Sequence, residues 1–227
     1  MSIKEFGAVI LSPGCNNNCV FCKVGEIDRT GYIRLKLQKY KAFMNLKNFK
    51  KKGITDIEIS GSDPIEVKDI TQFIRKIKKN GFKFVQLSTH GKRLSDASFL
   101  DKLIESGIDK IRIPLYGSNA EIHDSITRSK GSFDATIEGI KKLLEKTARI
   151  QVQVSSLIVK QNKNDLIGLI KLMSELNIRD FYFTIPCVPD KDYSYYIPLK
   201  DLGPYVKRAY DYAQRIYFKL VFMEIPF

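Results

Sequence analysis

The chain has 227 residues, of which 44% are hydrophobic and 28% are charged, and this balance excludes an intrinsically disordered protein. No segment approaches the ~20 apolar residues that a membrane-spanning helix needs, and Met1 is not followed by the apolar region of a signal peptide. We therefore expect a cytoplasmic protein with no membrane partner, in a compartment where thiols stay reduced.

Basic residues outnumber acidic residues, with 38 lysines and arginines against 25 aspartates and glutamates, which gives a net charge of +13. Charge of this size is typical of proteins that bind phosphates, so a nucleic-acid partner stays open. The excess is mostly lysine, in short runs at 50–52, 78–79 and 141–142, and this spread favours a solvated surface. Aromatic residues do not alternate with arginines, as they do where single strands stack on a protein.

Apolar runs of strand length alternate along the chain with segments of helical spacing. The predicted strands span 6–11, 56–60, 82–89, 110–115, 150–159 and 180–185, and a last strand-like run covers 217–225. The predicted helices span 34–52, 67–80, 95–106, 133–146, 164–176 and 199–212. A long connection without a predicted element joins the fourth strand to the fourth helix.

The alternation of strands and helices predicts a parallel sheet with right-handed crossovers. The sequence has no glycine-rich dinucleotide turn, so an incomplete TIM-type barrel, a (βα)6 arrangement with outer helices, is favoured over a doubly wound sheet. The sequence also shows no linker, no repeat and no low-complexity tract. We expect one domain over residues 1–227.

Three cysteines follow the first predicted strand with the spacing C-x3-C-x2-C, at Cys15, Cys19 and Cys22. A four-iron cluster usually takes four cysteine ligands, so three thiolates would leave one iron open to a substrate or cofactor. A zinc knuckle would need a fourth ligand, and no cysteine or histidine lies near Cys22 in the sequence. A disulfide framework is disfavoured in a chain of this length with only 4 cysteines.

The cysteine spacing, with Phe21 directly before the last cysteine, resembles the cluster loop of the radical S-adenosylmethionine (SAM) enzymes. The resemblance implies a [4Fe-4S] cluster on Cys15, Cys19 and Cys22, whose open iron chelates the amino and carboxylate groups of SAM. It further implies reductive cleavage of SAM to methionine and a 5′-deoxyadenosyl radical, which abstracts hydrogen from an organic substrate. Phe21 is then expected beside the cluster or the adenine, where it limits access of water.

Barrels of this kind build their ligand sites from loops at the carboxyl ends of the strands. The loop after the second strand, Ser60-Gly61-Ser62-Asp63-Pro64, resembles the GGEP segment that binds the SAM amino group in this family. By that resemblance Gly61, Ser62 and Asp63 contact the cofactor, although Ser62 replaces the second glycine and Asp63 replaces the glutamate. Without the cysteine loop the same segment is an ordinary strand-to-helix turn.

The third strand ends in Ser88-Thr89-His90-Gly91, which is similar to the TNG-like turn of the family, and Ser88 is placed among the cofactor contacts. A turn residue with satisfied hydrogen bonds is the ordinary interpretation of His90, although its pKa suits proton transfer. On the fifth strand Ser155 and Ser156 interrupt an apolar run. One of them is expected to face the SAM ribose, and we select Ser155.

Residues 111–139 resemble the fourth-strand region of the radical SAM branch that includes peptide-modifying and SPASM-type enzymes. By this resemblance Arg128 approaches the SAM carboxylate or ribose, since a guanidinium fork suits a carboxylate. A surface arginine is the alternative interpretation of this residue. His123 and Asp124 match a His-Asp pair whose expected role is to fold the loop.

Two prolines bear on the predicted cofactor contacts. Pro114 stands where the branch often has a serine that bonds the ribose, so that Tyr116 or Ser118 would have to supply this contact. Pro186 follows the sixth strand, where relatives place apolar backbone against the adenine, and it is a predicted cofactor contact. The adjacent Cys187 is interpreted as a small buried hydrophobe rather than a ligand.

Many members of the branch carry further cysteines beyond the barrel for auxiliary clusters, and this sequence has none there. Two alternatives stay open, a natural minimal barrel and a shortened form of a longer protein.

The leading hypothesis for function is a radical SAM enzyme with SAM and a [4Fe-4S] cluster as cofactors and an external electron donor such as ferredoxin or flavodoxin. The branch resemblance favours a peptide substrate, and a nucleotide or a small metabolite stays open. An RNA- or nucleotide-modifying enzyme is the second hypothesis, because of the basic charge. A non-catalytic, metal-stabilised binding module is the third.

Overall fold

A computed structural model describes residues 5–22, 31–186 and 194–223. The strands of this part of the chain are β1 Phe6–Ile10, β2 Asp56–Ser60, β3 Phe84–Ser88, β4 Lys110–Pro114, β5 Gln151–Leu157, β6 Asp180–Thr184 and β7 Val221–Met223. The α-helices are α1 Gly31–Lys51, α2 Ile70–Lys79, α3 Ala97–Glu105, α4 Ala120–Thr127, α5 Ser132–Lys146, α6 Leu166–Glu175 and α7 Leu199–Arg215. Short 3-10 helices at Pro64–Glu66 and Lys92–Ser95 follow β2 and β3. Among the helices described, none is long and apolar enough to cross a membrane.

The seven strands form one sheet and follow one another in chain order from β1 to β7. The pairs β1–β2, β2–β3, β3–β4, β5–β6 and β6–β7 are parallel. At least one α-helix lies between each two successive strands, as parallel neighbours require. This arrangement confirms the predicted incomplete α/β barrel, and the strand-like run at 217–225 contributes β7 as a seventh strand.

The prediction that the connection after β4 contains no regular element is wrong, because α4 lies within it. The side chain of Asn119 accepts a 3.1 Å hydrogen bond from the Ile122 amide and caps the first turn. The helix ends at Arg128, whose φ of 50° breaks helical geometry. Only Ile122 and Ile126 mark an apolar side, and a helix of 8 residues is too short to show a clear period.

By its contacts the chain divides into two compact units. Unit 1 comprises Met1–Asn16, Lys23–Arg112 and Glu138–Gln151, and unit 2 comprises Asn17–Cys22, Ile113–Ile137 and Val152–Phe227. The core of unit 1 contains fully buried aliphatic residues of β2, β3 and α2, among them Ile57, Ile59, Leu87, Ile74 and Ile77. The core of unit 2 contains buried residues of β5, β6 and α6, among them Val154, Phe181, Phe183, Leu169 and Ile170. The single domain over 1–227 stays a prediction.

Helix α2 shows how the sequence pattern positions the loops that precede it. Ile70, Phe73, Ile74 and Ile77 are buried, which is the i, i+3, i+4, i+7 spacing of one helix face. Burial of side chains of this size contributes about 1.5–3 kcal/mol each. The helix is therefore firmly packed in unit 1, and the loop between β2 and α2 has little freedom.

Candidate functional site

Polar side chains occupy one face of β2, β3 and β4 in unit 1. On β2 the apolar Ile57 and Ile59 are fully buried, while Glu58 between them is partly exposed. Ser88 Oγ donates to Glu58 Oε1 at 3.2 Å, and Arg112 Nη1 donates to the same oxygen at 2.9 Å. A strand core with a charged pair on one face indicates that this face borders a polar site rather than a dry interior.

Gly61 lies against the end of β1. A Cβ added at this position would come within 1.9 Å of the Leu11 carbonyl oxygen, and the backbone φ is +144°. The Leu11 amide donates to the Ser60 carbonyl at 2.7 Å, so the two strand ends are held together at this point. Glycine is required here because of a close backbone approach, and the atom approached is the carbonyl of Leu11.

Ser62 holds the beginning of the cysteine loop. Its hydroxyl donates to the Gly14 carbonyl at 2.8 Å and lies 3.1 Å from the Gly14 amide, which donates back to it. The Ser62 amide donates to Ser12 Oγ at 3.3 Å. A serine in place of the family's second glycine therefore fixes the segment that leads into Cys15. The predicted contact of Ser62 with the cofactor stays a prediction.

Asp63 and His90 form a buried pair in unit 1. Their side chains are 0% and 6% exposed, and His90 Nε2 contacts Asp63 Oδ2. Burial alone would lower the pKa of His90, but hydrogen bonds with the side chains of Asp63 and Cys15 and their negative charge raise this pKa to about 9. The Nε2 of His90 faces the Asp63 carboxylate, and its Nδ1 accepts a 3.4 Å hydrogen bond from the Lys92 amide, so both ring nitrogens have a partner. The exposed Glu66 offers a carboxylate oxygen nearby, and the ligand atoms of Asp63, Glu66 and His90 all lie within 4.8 Å of one another.

The remainder of the cysteine loop belongs to unit 2. The Asn18 amide donates to the Thr127 carbonyl at 2.8 Å, and the Val20 amide donates to the Ile126 carbonyl at 2.9 Å. A turn follows, in which the Cys22 amide donates to the Cys19 carbonyl at 3.0 Å. The end of α4 thus supports this half of the loop through the backbone.

Phe21 lies in an aromatic cluster of unit 2. Its ring packs edge-to-face against Tyr116 with centroids 5.2 Å apart and against Tyr195 at 6.3 Å. Tyr116, Ile126, Val159 and Tyr195 are buried at this place, and Cys19 packs against them. Phe21 and Cys19 thus share one apolar cluster, and the expected position of Phe21 beside an iron–sulfur cluster or the adenine stays a prediction.

The His-Asp pair of α4 folds the loop between α4 and α5, as predicted. Asp124 accepts hydrogen bonds from the Gly131 amide at 2.6 Å and from the Ser132 hydroxyl and the Phe133 amide at 2.9 Å. Burial opposes ionisation of this carboxyl, but the donors at Phe133, Gly131 and Ser132 lower its pKa below the ordinary value. His123 is buried, and its Nδ1 accepts the Tyr116 amide at 3.1 Å.

Three further predicted cofactor residues, Arg128, Ser155 and Pro186, lie in unit 2. Arg128 is exposed and Ser155 is partly exposed, while the neighbouring Ser156 is buried on the other face of β5 and its hydroxyl has no hydrogen-bond partner among the described residues. Pro186 is buried, and Cys187 lies outside the described residues. The contacts of Arg128, Ser155, Pro186 and also Ser88 with a cofactor stay predictions.

Ser118 was one of two residues considered as a substitute for the missing serine on β4. Its amide and hydroxyl both donate to the carboxylate of Asp165, each at 2.6 Å. These bonds engage the hydroxyl in a link between the loop that precedes α4 and Asp165, the residue before α6. The structure thus gives Ser118 a structural role.

The described residues fit the two predicted cofactors. Cys15, Cys19 and Cys22 are in no disulfide and are at least partly exposed, and thiolates are the usual ligands of iron–sulfur clusters. Asp63 Oδ1 is buried and has no hydrogen-bond partner within the described part of the chain. The ammonium group of SAM would satisfy such a carboxylate oxygen.

Sequence reasoning missed Glu58 and Arg112 in the polar face of unit 1. The signal was present, since both β2 and β4 alternate apolar and polar residues, whereas strands buried on both faces read as continuous apolar runs. It also missed Asn162, a fully buried side chain that donates to the Tyr116 and Leu157 carbonyls at 2.9 and 2.8 Å. Nothing in the sequence near Asn162 marks this long-range contact.

Comparison with known families decides the identity of the fold. The family described as "Radical SAM superfamily" matches residues 9–173, a range that begins in β1 and includes the cysteine loop. The chain belongs to the radical SAM superfamily. Its relatives in this superfamily are enzymes, which confirms the prediction of an enzyme at the level of the family. The peptide-modifying or SPASM-like branch stays a prediction.

Among curated radical SAM proteins, the chain is similar to a "Probable GTP 3′,8-cyclase" of Saccharolobus islandicus. The two are 26% identical over 174 residues, which are 77% of this chain and 54% of the relative. The chain therefore spans about half the length of the curated relatives it matches.

Two solved structures illustrate the fold and the cofactors of the superfamily. "Native anSMEcpe with bound AdoMet and Kp18Cys peptide" has a TM-score of 0.73 and 14% identity, covering 95% of this chain and 63% of that one. A methyltransferase, TsrM from Kitasatospora setae, was solved with cobalamin and a [4Fe-4S] cluster; its TM-score is 0.55 at 14% identity, over 79% of this chain and 36% of that one. SAM and the [4Fe-4S] cluster are thus confirmed as cofactors of the family.

Proposed function

We propose that this chain is the barrel of a radical SAM enzyme that holds a [4Fe-4S] cluster on Cys15, Cys19 and Cys22 and binds SAM beside it. The observation that carries the proposal concerns two adjacent residues: Ser62 hydrogen-bonds the start of the cysteine loop at Gly14, and the buried Oδ1 of Asp63 has no hydrogen-bond partner among the described residues. Ser62 and Asp63 therefore connect the start of the cysteine loop to a buried oxygen that could accept a cationic group, and this connection supports the proposal.

The bound cofactors would supply one-electron cleavage of the SAM sulfonium, which gives a 5′-deoxyadenosyl radical for hydrogen abstraction. The chain's own residues would bind and orient SAM and would keep water away from the site. Asp63 Oδ1 accepts the SAM ammonium, while the guanidinium of Arg128 is assigned to the SAM carboxylate or ribose. Phe21, against Tyr116 and Tyr195, keeps water from the cysteine turn.

Gly61, Ser88, Ser155 and Pro186 complete the proposed cofactor contacts. Gly61 and Pro186 would present backbone, and the two serines would present hydroxyls. Ser88 already donates to Glu58, so its contribution would be through a shared network with that carboxylate.

An external one-electron donor is part of the proposal, and ferredoxin and flavodoxin are the candidates. The chain's net charge of +13 would favour association with an acidic donor, since opposite surface charge raises the rate of encounter. The rate of SAM cleavage with a protein donor should therefore fall as salt is added.

The substrate is proposed to be an organic molecule, and a nucleotide is favoured over a peptide. The similarity to a GTP 3′,8-cyclase by name and the basic charge support a phosphate-bearing substrate. The fold shared with a peptide-bound enzyme supports a peptide less strongly, because such likeness concerns the fold alone. Binding of a nucleotide that weakens steeply with salt would support the first class, and salt-insensitive peptide binding would support the second.

The test of the proposed function is anaerobic reconstitution of the whole chain with iron and sulfide. The wild type should turn brown, absorb broadly near about 400 nm as expected for this cluster type, and release 5′-deoxyadenosine from SAM with a reductant. Cys19→Ala should lose both cluster and cleavage, whereas Cys187→Ala, at the fourth cysteine, should keep both. Uptake of zinc with no 5′-deoxyadenosine would instead identify a non-catalytic binding module, and cleavage retained by Cys19→Ala would contradict the ligand assignment.

A further inference from the structure

We propose that Glu58 and Gln86 determine substrate specificity by binding the edge of a nucleobase in which a ring N–H group stands beside a carbonyl oxygen, as in guanine and uracil. The inference rests on the proposed function, because it takes the substrate to be a nucleotide. It names the part of the nucleotide that is recognised and the two side chains on the polar face of unit 1 that recognise it.

Gln86 on β3 is a buried amide that lacks a hydrogen-bond partner. The residue is 2% exposed, and its Nε2 has no partner among the residues that the structure describes. A buried donor without an acceptor opposes folding, so such a group is retained where another requirement outweighs this cost. An acceptor atom on a bound ligand meets that requirement.

Glu58 on β2 stands beside Gln86. The two residues are partners in the parallel register of β2 and β3, so their side chains lie on the same face of strands about 4.8 Å apart. Ser88 and Arg112 both donate to Oε1 of Glu58 and hold the carboxylate in place. A carboxylate has about four acceptor positions, so Glu58 can accept a further N–H group. An acceptor and a donor therefore stand side by side, as the complement of a base edge with an N–H group next to a carbonyl.

The formal charges of this face cancel. Strand alternation and register place Asp56, Glu58, Lys110 and Arg112 on the side of the sheet that carries Gln86. Because two of these four are acidic and two are basic, the face has no excess positive charge for a phosphate. The base is favoured over the ribose as the uncharged part that binds here, since a hydroxyl both donates and accepts and needs no fixed pair of partners.

An apolar surface on β1 flanks the pair. Ala8 is the register partner of Glu58, and Ile10 is two residues further along the same strand. Both are exposed, and Ile10 is 54% exposed. A nucleobase has apolar faces and polar edges, so these side chains can cover one face of a base whose edge meets Glu58 and Gln86.

The pair lies close to the strand ends that lead into the proposed SAM site. Glu58 is two residues before Ser60, the last residue of β2, and Gln86 is two residues before Ser88, the last residue of β3. Two residues of a strand span about 6–7 Å. A base bound at this depth is within one nucleoside length of the loop that carries Asp63, where the proposed hydrogen abstraction begins.

The experiment measures the dissociation constants of four nucleosides by isothermal titration calorimetry, on the reconstituted whole chain with saturating SAM. Guanosine and uridine carry the N–H and carbonyl edge, whereas adenosine and cytidine do not. None of the four carries a phosphate, so the positive charge of the chain does not contribute, and bound SAM prevents adenosine from occupying the cofactor site.

The variants are Gln86→Met, which removes the donor at similar side-chain length, and Glu58→Gln, which removes the carboxylate. Glu105→Gln is the matched control, because Glu105 also pairs with an arginine of unit 1, Arg75, but lies on α3. Urea unfolding of each variant is recorded beside the binding data.

We expect guanosine and uridine to bind the wild type at least about tenfold more tightly than adenosine and cytidine, because the wrong edge leaves buried polar groups unpaired. Gln86→Met and Glu58→Gln should each reduce this preference to less than about threefold, and Glu105→Gln should keep it. The urea midpoint of Gln86→Met should equal or exceed that of the wild type, since methionine removes a buried donor that has no partner. A glutamine with a merely structural role would lower that midpoint and leave the preference unchanged.

Equal affinity of the wild type for all four nucleosides, or binding of none, would overturn the inference, as would an unchanged preference in folded Gln86→Met. If Gln86→Met does not fold, Glu58→Gln decides, because a lost preference there supports the inference and a retained one overturns it. The nucleosides are also tested before reconstitution, so that a chain without iron still gives a result. Absence of iron after reconstitution would contradict the proposed function, whereas SAM cleavage without a nucleobase preference would contradict the inference alone.

Discussion

Arg112 Nη1 donates a 2.9 Å hydrogen bond to Glu58 Oε1, and this pair joins β4 to β2 across the intervening strand β3. Ser88 on β3 donates to the same oxygen at 3.2 Å. The side chains of Arg112 and Glu58 are 28% and 25% exposed, so both charges are partly removed from water. Three neighbouring strands of unit 1 are thereby linked on their polar face by one carboxylate oxygen.

This pair predicts a measurable coupling between Glu58 and Arg112. In a double-mutant cycle of Glu58→Gln and Arg112→Gln, we expect a coupling free energy of about 1 kcal/mol, at the upper end of the range for ion pairs that retain some solvent contact. Urea unfolding of the four proteins measures it. The pair Lys207 and Asp211 on α7 is the matched control, because its side chains are 76% and 44% exposed and should couple by no more than about 0.5 kcal/mol. Equal coupling free energies in both pairs would show that the partial burial of Glu58 and Arg112 does not strengthen their interaction.

Gly61→Ala is expected to destabilise the protein by more than about 3 kcal/mol, since a Cβ would overlap a backbone carbonyl and occupy a strained φ. The added Cβ would lie only 1.9 Å from the Leu11 carbonyl oxygen, and the φ of residue 61 is +144°. Gly53→Ala is the control, where φ is +75° and no atom lies within 4 Å of the added Cβ, so that only the backbone penalty of about 1 kcal/mol remains. The urea midpoints of the two variants give the comparison, and similar losses would mean that the β1 end yields to the new atom.

Asp124→Asn should remove a pH-dependent part of the stability. The pKa of the Asp124 carboxyl is lowered in the folded protein, although burial opposes this, because the amides of Phe133 and Gly131 and the Ser132 hydroxyl donate to it. Its stabilisation is therefore present above the unfolded pKa of about 4 and is lost as pH falls through the lower folded value.

We expect Asp124→Asn to cost about 1 kcal/mol at pH 7, and the difference from wild type should shrink below about pH 4. The difference in stability between Asp124→Asn and the wild type is measured by thermal or urea unfolding at a series of pH values from about 7 to about 3. The control is Asp134→Asn on the exposed first turn of α5, which should cost only about 0.3–1 kcal/mol through the helix dipole. A difference for Asp124→Asn that is constant down to pH 3 would contradict a role of the ionised carboxylate.

Arg128→Ala should weaken SAM binding by about tenfold with the cluster intact, because a charge-assisted hydrogen bond contributes about 1.5–3 kcal/mol. Equilibrium dialysis with labelled SAM measures the affinity, and iron analysis checks the cluster. Arg128→Lys separates the charge from the planar fork, and Lys130→Ala removes a nearby exposed charge as a control. Unchanged affinity in Arg128→Ala would remove this residue from the site.

Much of the fold followed from local patterns. The strand at Asp56–Ser60 and the start of α7 at Leu199 lie at the predicted residues, because apolar periodicity and flanking glycines mark such boundaries. The helix α4 did not follow, since its cap at Asn119 and its two isoleucines are a weak signal. A short helix is decided by tertiary packing more than by its own propensity.

For the candidate site as well, some residues could be selected from the sequence and others could not. The three cysteines and the turn residues Gly61, Ser62 and Asp63 could be selected from the sequence, because chemistry that needs particular atoms leaves particular residue types at short spacing. The contacts of Ser62 with Gly14 and of Asp63 with His90 could not be selected. Each joins residues that are 27 or more positions apart in the numbering, and only the parallel pairing of strand ends brings them together.

By itself, therefore, the order of residues determined the alternation of strands and helices and the class of cofactor, and it supplied the three cysteines as predicted ligands. Only the folded chain decided that Ser62 binds the Gly14 backbone, that Asp63 contacts His90, and that Glu58 and Arg112 pair on the polar face of unit 1. The physical reason is range, because propensity and spacing act over a few residues, whereas hydrogen bonds and burial act between whichever residues the sheet places side by side.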